Sequence, residues 1–182
     1  MARFTVAAVG ADRPGIVAAV SAALVGAGCN LEDSSMTILG GQFAILLVLT
    51  APVPATEASI TGALDAAARE FDLAVSVRAV PAGTDADAGP GAVSAGWTVA
   101  VYGADHPGIV HAVARLLADA GVNIVDLNTR VIGPATAPVY AMTLDVALPP
   151  GLDPASLAAD LEVLSGEIGV DTSLHASQAD IL

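Results

Sequence analysis

The sequence predicts an α+β fold of two βαββαβ modules, each with an antiparallel sheet that carries its helices on one face. The first observation is a repeat: GADRPGIV at residues 10–17 returns as GADHPGIV at residues 103–110, 93 residues later. A second match, AGCNL at 27–31 with AGVNI at 120–124, keeps the same spacing. Strand-like and helix-like patterns also follow in the same order in both halves. The chain therefore contains two tandem copies of one module.

The elements of the first module are predicted from alternating apolar residues, which mark strands, and from helical spacing, which marks helices. Pro14 is expected at the first position of the first helix, where its missing N–H costs nothing, and Gly26 and Gly28 are expected to end that helix. Gly40 and Gly41 predict a tight hairpin. The predicted elements are strand 3–9, turn 10–13, a helix from Pro14, strand 31–39, strand 43–50, helix 56–71 and strand 73–77. This order is that of a ferredoxin-like, split βαβ module.

The domain boundaries follow from the repeat and from composition. The first module is predicted over residues 1–80 and the second over 96–176, with a tail at 177–182. Residues 81–95 are small, acidic and rich in Gly and Pro, which predicts a linker. The second copy is four residues longer near residues 133–136, and extra length there is typical of a hairpin tip.

The composition limits the classes of function. Six Lys and Arg stand against 19 Asp and Glu, for a formal net charge of −13, so direct nucleic-acid binding is not expected. No apolar run approaches the roughly 20 residues of a membrane span. The first residues show no signal pattern, so a cytoplasmic protein without a membrane partner is expected. The single cysteine, Cys29, has Val122 as its counterpart and is expected to be a buried structural thiol.

The repeated turn is the candidate ligand site. A helix N-terminus offers unpaired N–H groups and a partial positive charge, which suit a carboxylate. Gly15 and Gly108 allow a ligand to approach the backbone closely, and Asp12 and Asp105 could accept an ammonium group. Two structural alternatives stay open. Asp12 could serve only to stabilise the helix start, and the glycines could serve only to pack tightly against a strand.

Two asparagines recur where the first helix of each module leads into the next strand. Asn30 and Asn123 lie at the end of that helix away from the turn. Each would reach a ligand only if a neighbouring module brought its own turn close. The structural alternative is a local hydrogen bond that caps the asparagine's own turn.

The sequence holds no pattern for catalysis, a metal or a cofactor. His106, His111 and His175 do not have the spacing of a metal site, and no nucleophile elbow is present. The glycines of residues 26–28 lack the third member of a dinucleotide-binding loop, and they end a helix rather than begin one. We therefore expect no enzyme, no metal site and no cofactor.

The doubled pattern Asp-x-Pro-Gly-Ile-Val, helix, Ala-Gly-x-Asn-(Ile or Leu) resembles the ACT domain family of small-molecule sensors. Two such modules with nothing attached are similar to the glycine cleavage system transcriptional repressor family. The resemblance implies amino-acid binding where two modules meet. By this resemblance the candidate ligand-binding residues are Asp12, Arg13, Gly15, Ile16 and Asn30 in the first copy and Asp105, His106, Gly108, Ile109 and Asn123 in the second. Because the copies differ at Arg13 and His106, equal affinity at the two sites is not expected.

The resemblance favours an amino-acid-sensing regulatory protein that acts through a partner protein, either a transcription factor or a metabolic enzyme. Three alternatives remain at this stage: an enzyme, a detached regulatory subunit of an amino-acid metabolic enzyme, and a structural dimerising module with empty sites. A homodimer is compatible with the first hypothesis.

Overall fold

A computed structural model describes residues 1–81, 96–134 and 138–177 of the chain. They form two compact units that correspond to the two modules. The first unit contains β1 (Ala2–Ala11), α1 (Ile16–Gly26), β2 (Asn30–Leu39), β3 (Gln42–Ala51), α2 (Glu57–Phe71) and β4 (Ala74–Val80). The second contains β5 (Trp97–Ala104), α3 (Ile109–Asp119), β6 (Asn123–Ile132), β7 (Val139–Ala147), α4 (Pro154–Ile168) and β8 (Val170–Ala176). The order βαββαβ is confirmed in both.

Each unit has a four-stranded antiparallel sheet. The strand orders are β2-β3-β1-β4 and β6-β7-β5-β8, so the same topology occurs twice. In the first sheet, β1 pairs with β3 and β4, and β2 pairs only with β3 at one edge. This is the ferredoxin-like arrangement, and the predicted fold class is confirmed.

The core of each unit lies between the sheet and its helices. Alternate residues of β1 from Phe4 through Val6 to Ala8 are buried, because successive strand side chains point to opposite faces. The helices bury residues at helical spacing, such as Ile60 and Leu64 of α2. These residues belong to one hydrophobic cluster, so the helices cover a single face of the sheet.

The start of the first helix differs from the prediction. Pro14 is not the first helical residue, because α1 begins at Ile16 and Gly15 is its N-cap with φ 100°. Gly108 takes the same place before α3, with φ 101°. A backbone at positive φ strongly favours glycine. The turn from strand into helix therefore depends on the glycine, and the proline lies in the turn before it.

Other turns follow the predictions closely. Gly40 and Gly41 both have positive φ, 58° and 77°, as a type I′ hairpin turn requires. Helix α1 ends at Gly26 and is followed by Gly28 at φ 74°. Thr56, which was predicted to be helical, is instead the N-cap of α2 and accepts a hydrogen bond from the N–H of Ser59.

Several predicted features lie partly or wholly outside the described residues. These are most of the linker, the end of the tail, and part of the extra loop at residues 133–136. The strands on either side of that loop, β6 and β7, are paired antiparallel. Ser177, at the start of the predicted tail, donates its N–H to Gly96 O at 3.0 Å.

The burial of Cys29 and the length of the helices also bear on the sequence predictions. Cys29 is buried, as predicted for a structural thiol, and this burial raises the pKa of the thiol. Across the described portions of the chain, the helices are too short or too polar to span a bilayer.

Candidate functional site

The start of α1 presents three backbone N–H groups that no helical carbonyl accepts. The first intrahelical hydrogen bond here runs from Ala19 N to Gly15 O at 2.9 Å. The N–H groups of Ile16, Val17 and Ala18 precede it and are left without a partner in the helix. All three residues line an open surface pocket of about 500 Å³. The pocket therefore combines hydrogen-bond donors with the positive end of the helix dipole, a combination that suits a carboxylate.

Two charged residues, Asp12 and Arg13, line the same pocket. The backbone N–H of Asp12 donates to Gly41 O at 2.9 Å, which ties the turn to the β2–β3 hairpin. Among the described residues, neither the Asp12 carboxylate nor the Arg13 guanidinium makes a hydrogen bond or an ion pair. No side chain makes a capping hydrogen bond to α1, so Asp12 does not stabilise the helix start by that means. Stabilisation through the helix dipole stays an alternative.

The wall of this pocket includes Met36 of β2 and Phe43 of β3, which the sequence prediction of the site missed. Their position depends on how the strands pair. In the antiparallel register of β1 and β3, Phe43 lies opposite Gly10, beside the end of β1 that leads into the turn. The signal that could have found Phe43 was the repeat itself, which aligns it with Tyr140.

The second module repeats the geometry at the start of α3. Ala112 N donates to Gly108 O at 2.9 Å, so the N–H groups of Ile109, Val110 and His111 are the free ones here. These three residues line a pocket of about 370 Å³. The other residues that line it are His106, Pro107, Gly108 and Tyr140. The same backbone arrangement therefore occurs twice in one chain.

The residue at the Arg13 position, His106, is held against its own module. Its Nε2 lies 2.8 Å from Ile168 O at the end of α4, and its Nδ1 lies 3.2 Å from Pro107 O. Arg13 has no such partner among the described residues. The two turns therefore differ at this position, because the His106 side chain is tethered and the Arg13 side chain is free.

Tyr140 gives the second pocket a buried hydroxyl. The residue is 8% exposed, and its Oη donates to Met142 Sδ at 3.7 Å. Burial raises the pKa of the phenol and the Asp105 carboxylate raises it further, whereas the Thr129 side chain acts in the opposite direction. Asp105 and Thr129 therefore both lie close enough to Tyr140 to influence it.

Asn30 and Asn123 are not brought to the turn of their own module. Asn30 is the first residue of β2, beyond the far end of α1. An α-helix of the 11 residues in α1 is roughly 16 Å long, which separates Asn30 from Gly15. Within the described residues, neither asparagine side chain makes a hydrogen bond, so the local-cap alternative has no support in the structure.

The shape of the turn, which is the same in both modules, does not come from tight packing of its glycines. A Cβ on Gly108 would meet no atom within 4 Å, and a Cβ on Gly15 would meet only the edge of Phe71, at 3.4 Å. Neither approaches a strand, so the alternative of packing against a strand is wrong. The backbone angle is what requires glycine at both positions.

A larger groove of about 690 Å³ lies between α3 and α4, and His111 is the residue it shares with the pocket at the turn. Its walls include Arg115 and Asp119, which form an exposed ion pair at 3.0 Å. The repeat places Ala22 and Gly26 at these positions in the first module. The polar groups of this groove are thus not part of the duplicated site. Within the described stretches, no three His, Cys, Asp or Glu side chains gather as a metal site.

Comparison with known families matches both modules. A family model for the ACT domain matches residues 3–78, and a second ACT domain model matches residues 97–158. The glycine cleavage system transcriptional repressor of Escherichia coli K12 is 31% identical over 125 residues, which cover 69% of this chain and 63% of that protein. The match thus spans less than two thirds of the relative's length.

Two further comparisons concern one module and the whole chain. The UPF0237 protein of Methanosarcina mazei is 31% identical over 77 residues, which are 42% of this chain but 84% of that protein. A crystal structure of an unknown protein from Galdieria sulphuraria aligns with a TM-score of 0.79 at 30% identity, over 97% of this chain and 99% of that one. The chain belongs to the ACT domain family and is homologous to the glycine cleavage system transcriptional repressor.

Proposed function

We propose that this protein is an amino-acid-sensing regulator that acts through contacts with a partner protein. The observation that carries the proposal is the duplicated turn, in which free helix N–H groups begin both α1 and α3 and an Asp stands three residues before each N-cap glycine. In the first module this residue, Asp12, lines the pocket. The homologous repressor of E. coli supports a regulatory role. We propose no catalytic role for any residue, and we place the protein in the cytoplasm.

The two charged ends of an amino acid match this turn. The ligand carboxylate accepts hydrogen bonds from the first N–H groups of the helix, beginning with Ile16 or Ile109. The ligand ammonium group lies against Asp12 or Asp105, whose carboxylates make no hydrogen bond within the described residues. Gly15 and Gly108 leave room for the ligand main chain because they have no side chains.

Arg13 and His106 flank the ligand, and the two asparagines serve an adjoining module. Arg13 is free to reach a second anionic group, whereas His106 is fixed to the end of α4. Asn30 and Asn123 lie a full helix length from the turn of their own module. We therefore assign each of them to a ligand held by another module, in this chain or in a second copy.

The proposed partner is a transcriptional regulator. A protein with a net charge of −13 is repelled by DNA, so control of transcription requires another protein that binds the operator. The similarity to a transcriptional repressor favours this partner over an amino-acid metabolic enzyme. The test is affinity capture with the full chain, with and without the amino acid. A metabolic enzyme as the specific partner would instead support the detached-subunit hypothesis.

Isothermal titration of the full chain with each of the twenty common amino acids tests the ligand. We expect at least one to bind, and we expect the Asp12→Asn, Asp105→Asn double variant to bind it at least tenfold more weakly. A hydrogen bond to a charged group contributes about 1.5–3 kcal/mol, which corresponds to roughly tenfold to a hundredfold in affinity. Asp65→Asn is the matched control, because Asp65 is an exposed carboxylate on α2 outside the pocket.

Two outcomes would contradict the proposal. The first is a folded protein that binds none of the twenty amino acids. The second is unchanged affinity in the double variant, since the carboxylates would then have no part in binding.

A further inference from the structure

The two pockets have different chemistry at two equivalent positions. Phe43 of the first module corresponds to Tyr140 of the second, and Met36 corresponds to Thr129. The strand registers support this alignment, because Met36 pairs with Ile45 as Thr129 pairs with Met142. In both cases an apolar side chain of the first copy is replaced by one that carries a hydroxyl.

In the first module these positions are apolar surfaces available to a ligand. Both line the pocket; Met36 is 48% exposed, whereas Phe43 is 2% exposed and offers a ligand little surface. Ile16, Val17 and Pro14 also line it. A ligand side chain in this pocket therefore contacts hydrocarbon and a thioether, and gains most from burial of its own apolar surface.

In the second module the same place holds a hydroxyl with spare hydrogen-bonding capacity. The Tyr140 Oη donates to a thioether sulfur, a weak acceptor, at 3.7 Å. Thr129, the counterpart of Met36, is exposed on β6 and is not among the residues that line this pocket. The pocket is also smaller, about 370 Å³ against about 500 Å³. A buried hydroxyl that is weakly satisfied gains from a polar ligand group and loses when an apolar group covers it.

We propose that the two modules recognise different amino acids, with Tyr140 selecting a small side chain that forms hydrogen bonds in the second pocket, and Phe43 and Met36 accepting an aliphatic side chain in the first. This inference rests on the proposed function, because it names the ligand class of the same sites. A site built around hydrogen-bonding groups rejects an analogue that lacks its partner group far more strongly than an apolar site rejects an added hydroxyl. The second site is therefore the more selective one.

Threonine and valine are the probes, because they have nearly the same shape and differ by a hydroxyl against a methyl group. Two-dimensional ¹H–¹⁵N NMR of the full chain separates the sites, since the amides of Gly15 and Gly108 report on one pocket each. We expect threonine to shift the Gly108 resonance at a concentration at least tenfold lower than the concentration of valine that gives the same shift. Gly15 is expected to respond to valine at least as well as to threonine.

Reciprocal variants test the residues. Tyr140→Phe installs the residue of the first copy and is expected to lower the threonine preference at Gly108 at least fivefold, with the Gly15 response unchanged. Phe43→Tyr is the reverse exchange and is expected to raise the threonine preference at Gly15. Circular dichroism confirms that each variant is folded.

The outcomes separate this inference from the function on which it rests. If neither amide responds to any of the twenty amino acids, the proposed function fails and the selectivity fails with it. If both amides respond but Gly108 does not distinguish threonine from valine, or if Tyr140→Phe leaves its preference intact, only the selectivity is overturned.

Discussion

Replacement of Gly108 by alanine tests whether the repeated turn depends on a left-handed backbone. Gly108 has φ 101° and ψ −10°, where an L-residue is strained by about 1–3 kcal/mol. A Cβ at this position would meet no atom within 4 Å, so no steric clash adds to that strain. Alanine also lowers the conformational entropy of the unfolded chain, which stabilises the folded state by about 0.4–1 kcal/mol. The two effects combine to a net loss of about 0–2.6 kcal/mol in the free energy of unfolding, centred at about 1.3 kcal/mol.

The matched control is Gly166→Ala in α4. Gly166 lies inside a helix, its φ is not positive, and its Cβ would also be in open space. Alanine in a helix interior is more favourable than glycine by about 0.5–1 kcal/mol. The two substitutions make the same chemical change in the same module, and they are expected to change stability in opposite directions.

The assay is urea unfolding of the full chain followed by tryptophan fluorescence. Trp97 is the single tryptophan and packs against the core of the second module, so its signal reports on that module. The midpoint is expected to fall for Gly108→Ala and to rise for Gly166→Ala. A midpoint for Gly108→Ala equal to or above that of the wild type would refute the reasoning that the turn requires glycine.

Three further substitutions test the packing of the modules. In Gly103→Ala the new Cβ would lie 2.8 Å from Val170 Cγ1 and 3.0 Å from Val170 Cα; we expect a loss of about 1–3 kcal/mol in the same fluorescence assay, and no loss would mean that β8 shifts freely. Leu117→Ala removes a fully buried side chain and is expected to lower the free energy of unfolding by about 2–5 kcal/mol; a loss below 1 kcal/mol would argue against a close-packed core. Cys29 is expected to react with Ellman's reagent only after denaturation, and Cys29→Val, the residue of its counterpart Val122, is expected to cost less than about 1.5 kcal/mol by thermal unfolding. Rapid labelling of the folded protein would contradict its burial.

The order of the elements could be predicted from the sequence because local patterns and the repeat agree. A two-residue turn between two β-rich runs has few possible conformations, and Gly40 and Gly41 adopt the positive φ that the expected turn requires. The helix start was misplaced because two local rules compete there. Proline is favoured at the first helical position. A turn that needs positive φ, however, places its glycine directly before the helix, and here that glycine follows the proline. The second rule prevailed in both copies.

The pocket walls could be predicted only in part, because they depend on contacts between distant segments. The residues of the turn itself, such as Asp12 and Gly15, are contiguous, so their proximity needs no tertiary information. Met36 and Phe43 come to the turn through the β1–β3–β2 register. A shift of one residue in that register would point both side chains to the other face.

The position of Asn30 bears on how ligand binding and regulation are connected. A helix of roughly 16 Å is longer than the main chain of any amino acid, so one module cannot place its own Gly15 and Asn30 on the same ligand. If both residue types contact one ligand, two modules contribute them, and binding then depends on the contact between modules. By thermodynamic linkage, the ligand must strengthen that contact by the same factor by which the contact strengthens ligand binding. Under the proposed function, a ligand-dependent change in the association of modules is the signal to the partner protein.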